Sequence, residues 1–260
     1  MLSKNQIKFI TSLKLKKFRE EHNLFIAEGT KIVCELLTSS IHVKQVYATS
    51  EFFRNNKIDN TIERFEIKEN ELVRISTLHT PNQVLAVCEI PNYNLEIETL
   101  KNKLTLVLDN IQDPGNLGTI IRIADWFAIE NIICSNTTAD IYNPKVVQST
   151  MGSIARIKIH YQDLESLFQS TIINNQLPIF GALLQGENIY KTQLPKNAII
   201  IIGNESKGIS ENIIPFITNK ISIPTFSQLK TNTGEAESLN AAIATSIICS
   251  EFRRTIINKK

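Results

Sequence analysis

The sequence predicts an α/β protein of two domains, and three observations predict it. Its 260 residues exceed one ordinary domain and suit two. In the second half, short aliphatic runs alternate with helical segments, the pattern of a parallel sheet covered on both faces. Between the halves, Pro91-Asn92-Tyr93-Asn94 interrupts the periodicity, and the charged stretch that follows to about Lys103 has the composition of a linker. The expected domains are therefore 1–95 and 102–260. With 42% hydrophobic and 21% charged residues, the chain is too apolar for general disorder.

The elements follow in order. From residue 3 to about 21, Ile7, Ile10, Leu13 and Phe18 recur near helical spacing behind Ser3, which predicts one amphipathic helix. Lys4, Lys8, Lys14, Lys16, Lys17 and Arg19 all precede the first carboxylate, Glu20. That basic segment suits phosphate contact, although taken alone a solvated helix face is the better explanation. Residues 28–37 read as a second helix and 69–75 as a third, with strands at 43–48, 64–67 and 84–90. In the second half the strands fall at 104–108, 131–134, 179–183, 198–202 and 221–223.

Several chemistries are excluded by composition. A net charge of +2 is too small to identify an anionic partner by itself. Cys34, Cys88, Cys134 and Cys249 lie far apart with no CxxC pair, and His22, His42, His79 and His160 are equally scattered. Neither a metal site nor a Cys/His nucleophile has workable spacing. The longest apolar stretch, 198–202, is far too short for a bilayer, and the polar start lacks a signal core, so a cytoplasmic location is expected.

Three loops combine Gly, Asn and charged residues after aliphatic strands, where open α/β sheets place ligands. The first is DNIQDPGNLG from Asp109, running into a helix with Arg122 and Asp125. Pro114-Gly115 forces a turn and Asn116 is a candidate helix cap. Arg122 lies nearly two helical turns beyond Asn116, so only loop geometry lets both face one cleft. A dinucleotide loop fails on spacing, because Gly115 and Gly118 do not complete GxGxxG. The second loop, GNESKGIS from Gly203, is expected to start a helix near Ser210. Gly203 permits close approach of a ligand to the backbone, and Glu205 offers an acceptor for hydroxyls. The third runs from Ile223-Pro224 to Ser238-Leu239-Asn240 and enters a helix of small residues.

Taken together, DNIQDPGNLGTIIRIAD, IIIGNESKGIS, and ISIP followed by GEAESLNAAIA resemble the three ordered motifs of the SpoU (TrmH-type) RNA 2′-O-ribose methyltransferases, over about residues 102–255. The segment NPKVVQSTMGSIARIKI is similar to the family's stretch between the first two motifs. SKNQIKFITSLKLKKFREEHNLFIAEGTKIVCELL resembles the small ribosomal-protein-like RNA-binding domain that precedes it in many members.

The resemblance implies a SPOUT catalytic domain with a C-terminal trefoil knot, an exception to the rule that chains do not thread loops. It implies S-adenosylmethionine as cofactor, held largely by backbone groups of Gly203, Ile223 and Leu239, and a homodimer that completes the site. Arg122 is then the residue that assists or orients the attacking ribose hydroxyl, while Asn116, Glu205, Ser238 and Asn240 position it by hydrogen bonds. RNA is the implied partner, ribosomal before transfer RNA. From another class, a non-catalytic RNA-binding protein of the same fold, acting in ribosome assembly, is the alternative. The chain departs from the family pattern at 225–237, TFSQLKTNTGEAE, a longer connection beside the proposed cofactor pocket.

Overall fold

The computed structural model describes residues 1–169, 177–225 and 238–257. Helices α1 (Lys4–Ser12) and α2 (Lys16–His22) lead into β1 (Leu24–Glu28), α3 (Thr30–Leu37), β2 (Val43–Ala48), α4 (Ser50–Asn55), β3 (Glu63–Glu66), α5 (Glu69–Ile75) and β4 (Val84–Glu89). Then come α6 (Ile97–Leu100), β5 (Leu104–Leu108), α7 (Pro114–Trp126), β6 (Asn131–Ser135) and α8 (Pro144–Thr150). The described chain ends with β7 (Lys158–Gln162), α9 (Leu164–Leu167), β8 (Ile179–Asn188), β9 (Ala198–Ile202), β10 (Asn219–Ser222) and α10 (Ala241–Ile257).

Two compact units result. The first comprises 1–92 together with 140–156, and the second 93–139 with 157–260. In the first unit four strands pair in the order β1-β4-β2-β3, antiparallel except for β2 with β3. Alternation along β1 and β4 supplies two cores. Phe25, Ala27, Ala86 and Cys88 meet Ile32, Val33 and Leu36 of α3, Val147 of α8 and Ile154 on one face. On the other face Leu24, Ile26, Leu85 and Val87 meet Ile10 and Leu13 beside α1 and Leu72 and Ile75 of α5.

The second unit contains the expected parallel sheet, in the order β10-β8-β9-β5-β6-β7. Every neighbouring pair is parallel. Strands β5 and β9 are buried at every position, which is what a strand covered on both faces requires and why they read as unbroken aliphatic runs. One face carries a core of Val107, Ile133, Ile199 and Ile201 with Leu164, Leu167 and Phe168. Against the other lie α7 and α10, where Phe252 meets Phe180 of β8 edge to face.

Four elements differ from their sequence expectations. The single basic helix over 3–21 is two, because the buried Arg19 takes the carbonyls of Leu13 and Lys14 as acceptors and turns the chain there. Residues 28–37 hold the end of a strand and then a helix, switched at Gly29, whose φ is +93°. No α-helix starts at Ser210: Pro215 sits in a single 3-10 turn, Ile214–Phe216. Strand β8 runs on to Asn188 instead of stopping at 183, with a register shift against β10 between Lys220 and Ile221.

Candidate active site

Because the sheet is parallel, the loops after β5, β9 and β10 all emerge at its carboxyl edge. The first two are lashed together by polar side chains. The buried Asp109 carboxylate accepts from the Ser210 N–H (2.7 Å), and Asn204 donates its side-chain amide to the Asn110 carbonyl (2.9 Å). Asn204 and Gly208 exchange backbone bonds of 3.0 and 2.9 Å, so 204–208 closes on itself. A Cβ on Gly203 would overlap the Gly208 carbonyl carbon and the Ile209 nitrogen. The close approach expected at Gly203 is therefore made by the loop's own backbone.

Helix α7 starts at this edge. Its cap is Asp113, whose carboxylate accepts from the Asn116 N–H (2.7 Å), with Pro114 at the first helical position. Asn116, expected as a candidate cap, stands one turn inside instead. Helix α10 starts beside it, capped by Asn240, whose Oδ1 accepts from the N–H groups of Ala242 (3.0 Å) and Ile243 (3.2 Å).

That cap fixes a chain of bonds. With its oxygen committed, Asn240 must turn Nδ2 outward, and Nδ2 donates to Asn116 Oδ1 at 2.8 Å. Asn116 in turn donates its Nδ2 to Glu205 Oε1. Ser238 Oγ lies 3.5 Å from the Glu205 backbone carbonyl, at the limit of a hydrogen bond. Amide dipoles aligned in this way reinforce one another, and the negative end of the chain meets the positive N-terminal ends of two helices.

Of the residues singled out from sequence, Asn116, Glu205, Ser238 and Asn240 are thus brought together. Leu239 lies between the last two with 46% of its surface exposed. Ile223 follows β10, half-buried at the same edge. Arg122 is exposed, and among the described residues no side chain bonds its guanidinium. Six residues of helix rotate it about 240° from Asn116, away from the Glu205 cluster. Of the connection 225–237, where the chain departs from the family pattern, residues 226–237 lie outside the described residues. Residues without an assigned role in the sequence reading carry much of the scaffold: Asp109, Asn204 and Ser210. The only signal for the first two was the position of an acid and an amide just after aliphatic strands, and Ser210 had none beyond its place at the end of the second loop.

At its far end α7 is held too. Arg253 of α10 donates from Nε to the Phe127 carbonyl (2.7 Å) and from Nη2 to that of Ala128 (2.9 Å). Helices α7 and α10 therefore run parallel, fastened at both ends.

Comparison with known proteins gives two family models. The SpoU rRNA Methylase family matches residues 103–250, and the MRM3-like substrate binding domain matches residues 4–86. The 23S rRNA (guanosine(2553)-2'-O)-methyltransferase RlmP of Bacillus subtilis is 30% identical over 254 residues, 96% of this chain and 97% of its own length. A TrmH-family structure from Porphyromonas gingivalis superposes with a TM-score of 0.88 at 37% identity, covering 98% of this chain and 99% of its own. The AdoMet-bound rRNA methyltransferase of Sinorhizobium meliloti gives 0.83 at 28% identity, over 98% and 97%.

Proposed function

Since this chain belongs to the SpoU rRNA methylase family, we propose that it transfers a methyl group from S-adenosylmethionine to a ribose 2′-hydroxyl of ribosomal RNA. The observation that carries this is the bonded chain Asn240, Asn116, Glu205, drawn to one sheet edge from three segments distant in sequence. A protein that only bound RNA needs no such convergence.

The residues at that edge suit S-adenosylmethionine. Glu205 supplies a carboxylate for ribose hydroxyls or for a sulfonium cation, and the backbone after β9 and β10 supplies amide groups around Gly203 and Ile223. Leu239 offers exposed apolar surface for an adenine to cover. When bound, the cofactor supplies a methyl group already activated by the sulfonium.

What remains for the chain is to orient the attacking hydroxyl and manage its proton. Arg122 stays charged at any physiological pH, so its fork suits gripping a phosphate beside the reacting ribose and drawing charge from the hydroxyl oxygen. It points away from its own Glu205 cluster, which fits a site completed by a second copy. Trp126, one turn further along the same face of α7, is 84% exposed, and Ile243 on α10 is exposed as well. A homodimer covering that face brings Arg122 to the partner's cofactor. Residues 1–95, whose compact unit also takes in 140–156, serve as the RNA substrate-binding domain, and the rest of 102–260 as the knotted catalytic domain. A cytoplasmic location is part of the same reading; among the described residues no helix is long and apolar enough to cross a membrane.

The test is transfer of labelled methyl from S-adenosylmethionine to 23S rRNA taken from cells lacking the protein, with the modified ribose mapped. One labelled 2′-O-methyl position is expected. RNA binding without cofactor binding by calorimetry would instead favour a non-catalytic role in ribosome assembly.

A further inference from the structure

From the corner between α1 and α2, we infer that Lys16 and Lys17 form a phosphate-gripping knuckle for the substrate RNA, held in shape by the buried Arg19. The inference rests on the RNA-methyltransferase reading above and assigns its RNA contact to a particular place.

The corner is built around an unusual residue. Arg19 is only 2% exposed, yet a guanidinium is rarely buried unless paired. Its Nη1 donates to the carbonyls of Leu13 (2.9 Å) and Lys14 (2.8 Å), and Nε and Nη2 donate to Asp140, on the 140–156 segment of the same unit. Asp140 balances the buried charge. The two carbonyls that a helix end ordinarily turns to solvent are consumed from the inside. What the corner shows outward is therefore short of backbone carbonyl acceptors and carries exposed cations.

Those cations stand in a row in sequence. Lys14 is tied back by a 2.9 Å bond from Nζ to the Ser76 carbonyl, leaving Lys16 and Lys17 to project. Lys16 has one weak partner, Glu20 at 3.6 Å, in a pair that is about two-thirds exposed on both sides; such a pair is worth little and yields readily to a phosphate. Just before them Leu15 is 60% exposed, and Lys17 lies 5.9 Å from the centre of the Phe18 ring. Cations interleaved with apolar and aromatic surface suit a sugar-phosphate backbone better than a protein carboxylate. The shape is prepared before binding, which lowers the entropic cost of gripping a flexible strand.

Binding of purified 23S rRNA to the full-length chain tests this across a salt series. Each phosphate neutralised contributes about 0.9 to the slope of log affinity against log salt on duplex, and about 0.7 on single strands. The expected result for K16Q/K17Q is a slope shallower by about 1.4 to 1.8 and affinity down roughly tenfold or more at low salt. S-adenosylmethionine affinity should be unchanged, and K57Q, an exposed lysine elsewhere in this unit, should bind as wild type. Arg19→Lys keeps the charge but not the fork, and should lose part of the slope. If K16Q/K17Q keeps the wild-type slope while wild type binds and methylates, the knuckle is wrong and the methyltransferase reading stands. Should wild type itself neither bind nor methylate 23S rRNA, both fall.

Discussion

Arg122 sits on a buried helix face's opposite side, exposed and unbonded among the described residues, while four polar residues nearby hold one another. A structural arginine is normally bonded or packed, so removing this one should cost little stability. Arg122→Ala is expected to abolish methyl transfer while leaving the melting temperature and the affinity for S-adenosylmethionine near wild type. Single-turnover assays beside calorimetry check it, and surviving transfer sinks the role. Thr105 presents the reverse case. Its hydroxyl is buried in β5 without a partner among the described residues, facing the side of the sheet that carries Val107 and Ile199. An unsatisfied buried hydroxyl costs about 1 to 3 kcal/mol, and valine has nearly the same shape. Thr105→Val should stabilise by about 1 kcal/mol, read from the midpoint of urea unfolding. The family resemblance, rather than spacing, singled out Asn116, Glu205, Ser238 and Asn240, which the structure brings together. The cap was not legible: Asp113 and Asn116 are both good cap formers three residues apart, and only the Pro114 position decides between them.

Helices α7 and α10 are clamped in parallel, by Asn240 on Asn116 at one end and by Arg253 on the last carbonyls of α7 at the other. Parallel neighbours place like ends of two helix dipoles together, so each end needs an opposing charge. Glu205 provides it at the N-terminal ends and Arg253 at the C-terminal end of α7. Burial holds the Arg253 pKa below its ordinary value, yet the group stays charged throughout the useful range. Arg253→Met keeps the apolar stem and removes both bonds and the charge. A loss of about 1 to 3 kcal/mol is expected in urea unfolding, together with weaker S-adenosylmethionine binding as α10 slides; an unchanged midpoint would contradict the clamp. Such a contact, 125 residues apart, has no local signature in sequence. The same holds for the break between α1 and α2, where periodicity continues through residues 13–15 and only Arg19 shows why the helix stops. Strand β1 was hidden because its five buried residues run straight into the apolar stripe of α3. The aliphatic strands of the second sheet were plain, since burial on both faces leaves little room for other residue types.

At the scale of the whole molecule, alternation of strands and helices was enough to give the α/β class and the parallel sheet, but not the strand order, which depends on pairings between distant segments. Stability against pH is a property of that whole, and His160 should dominate part of it. The ring is buried in β7, with Nε2 3.3 Å from Asn131 Oδ1 and its centre 6.4 Å from that of the Tyr93 ring, edge to face. Desolvation is the largest cause and lowers its pKa; a hydrogen bond to the Tyr93 backbone pulls it partway back up, and the positive charge of Lys158 adds a smaller push downward. The folded chain therefore resists protonation at a pH where the unfolded chain, with an ordinary value near 6.5, already takes up the proton. Stability is full above about 6.5 and falls as pH drops from there toward the folded value, because the unfolded state binds more protons across that window. Urea unfolding of wild type and His160→Gln between pH 5.5 and 8, with the two curves subtracted, isolates this group from every other that titrates. Wild type should lose stability relative to the variant as pH falls below about 6.5, whereas a difference that stays flat would mean that the buried ring accepts its proton as easily folded as unfolded.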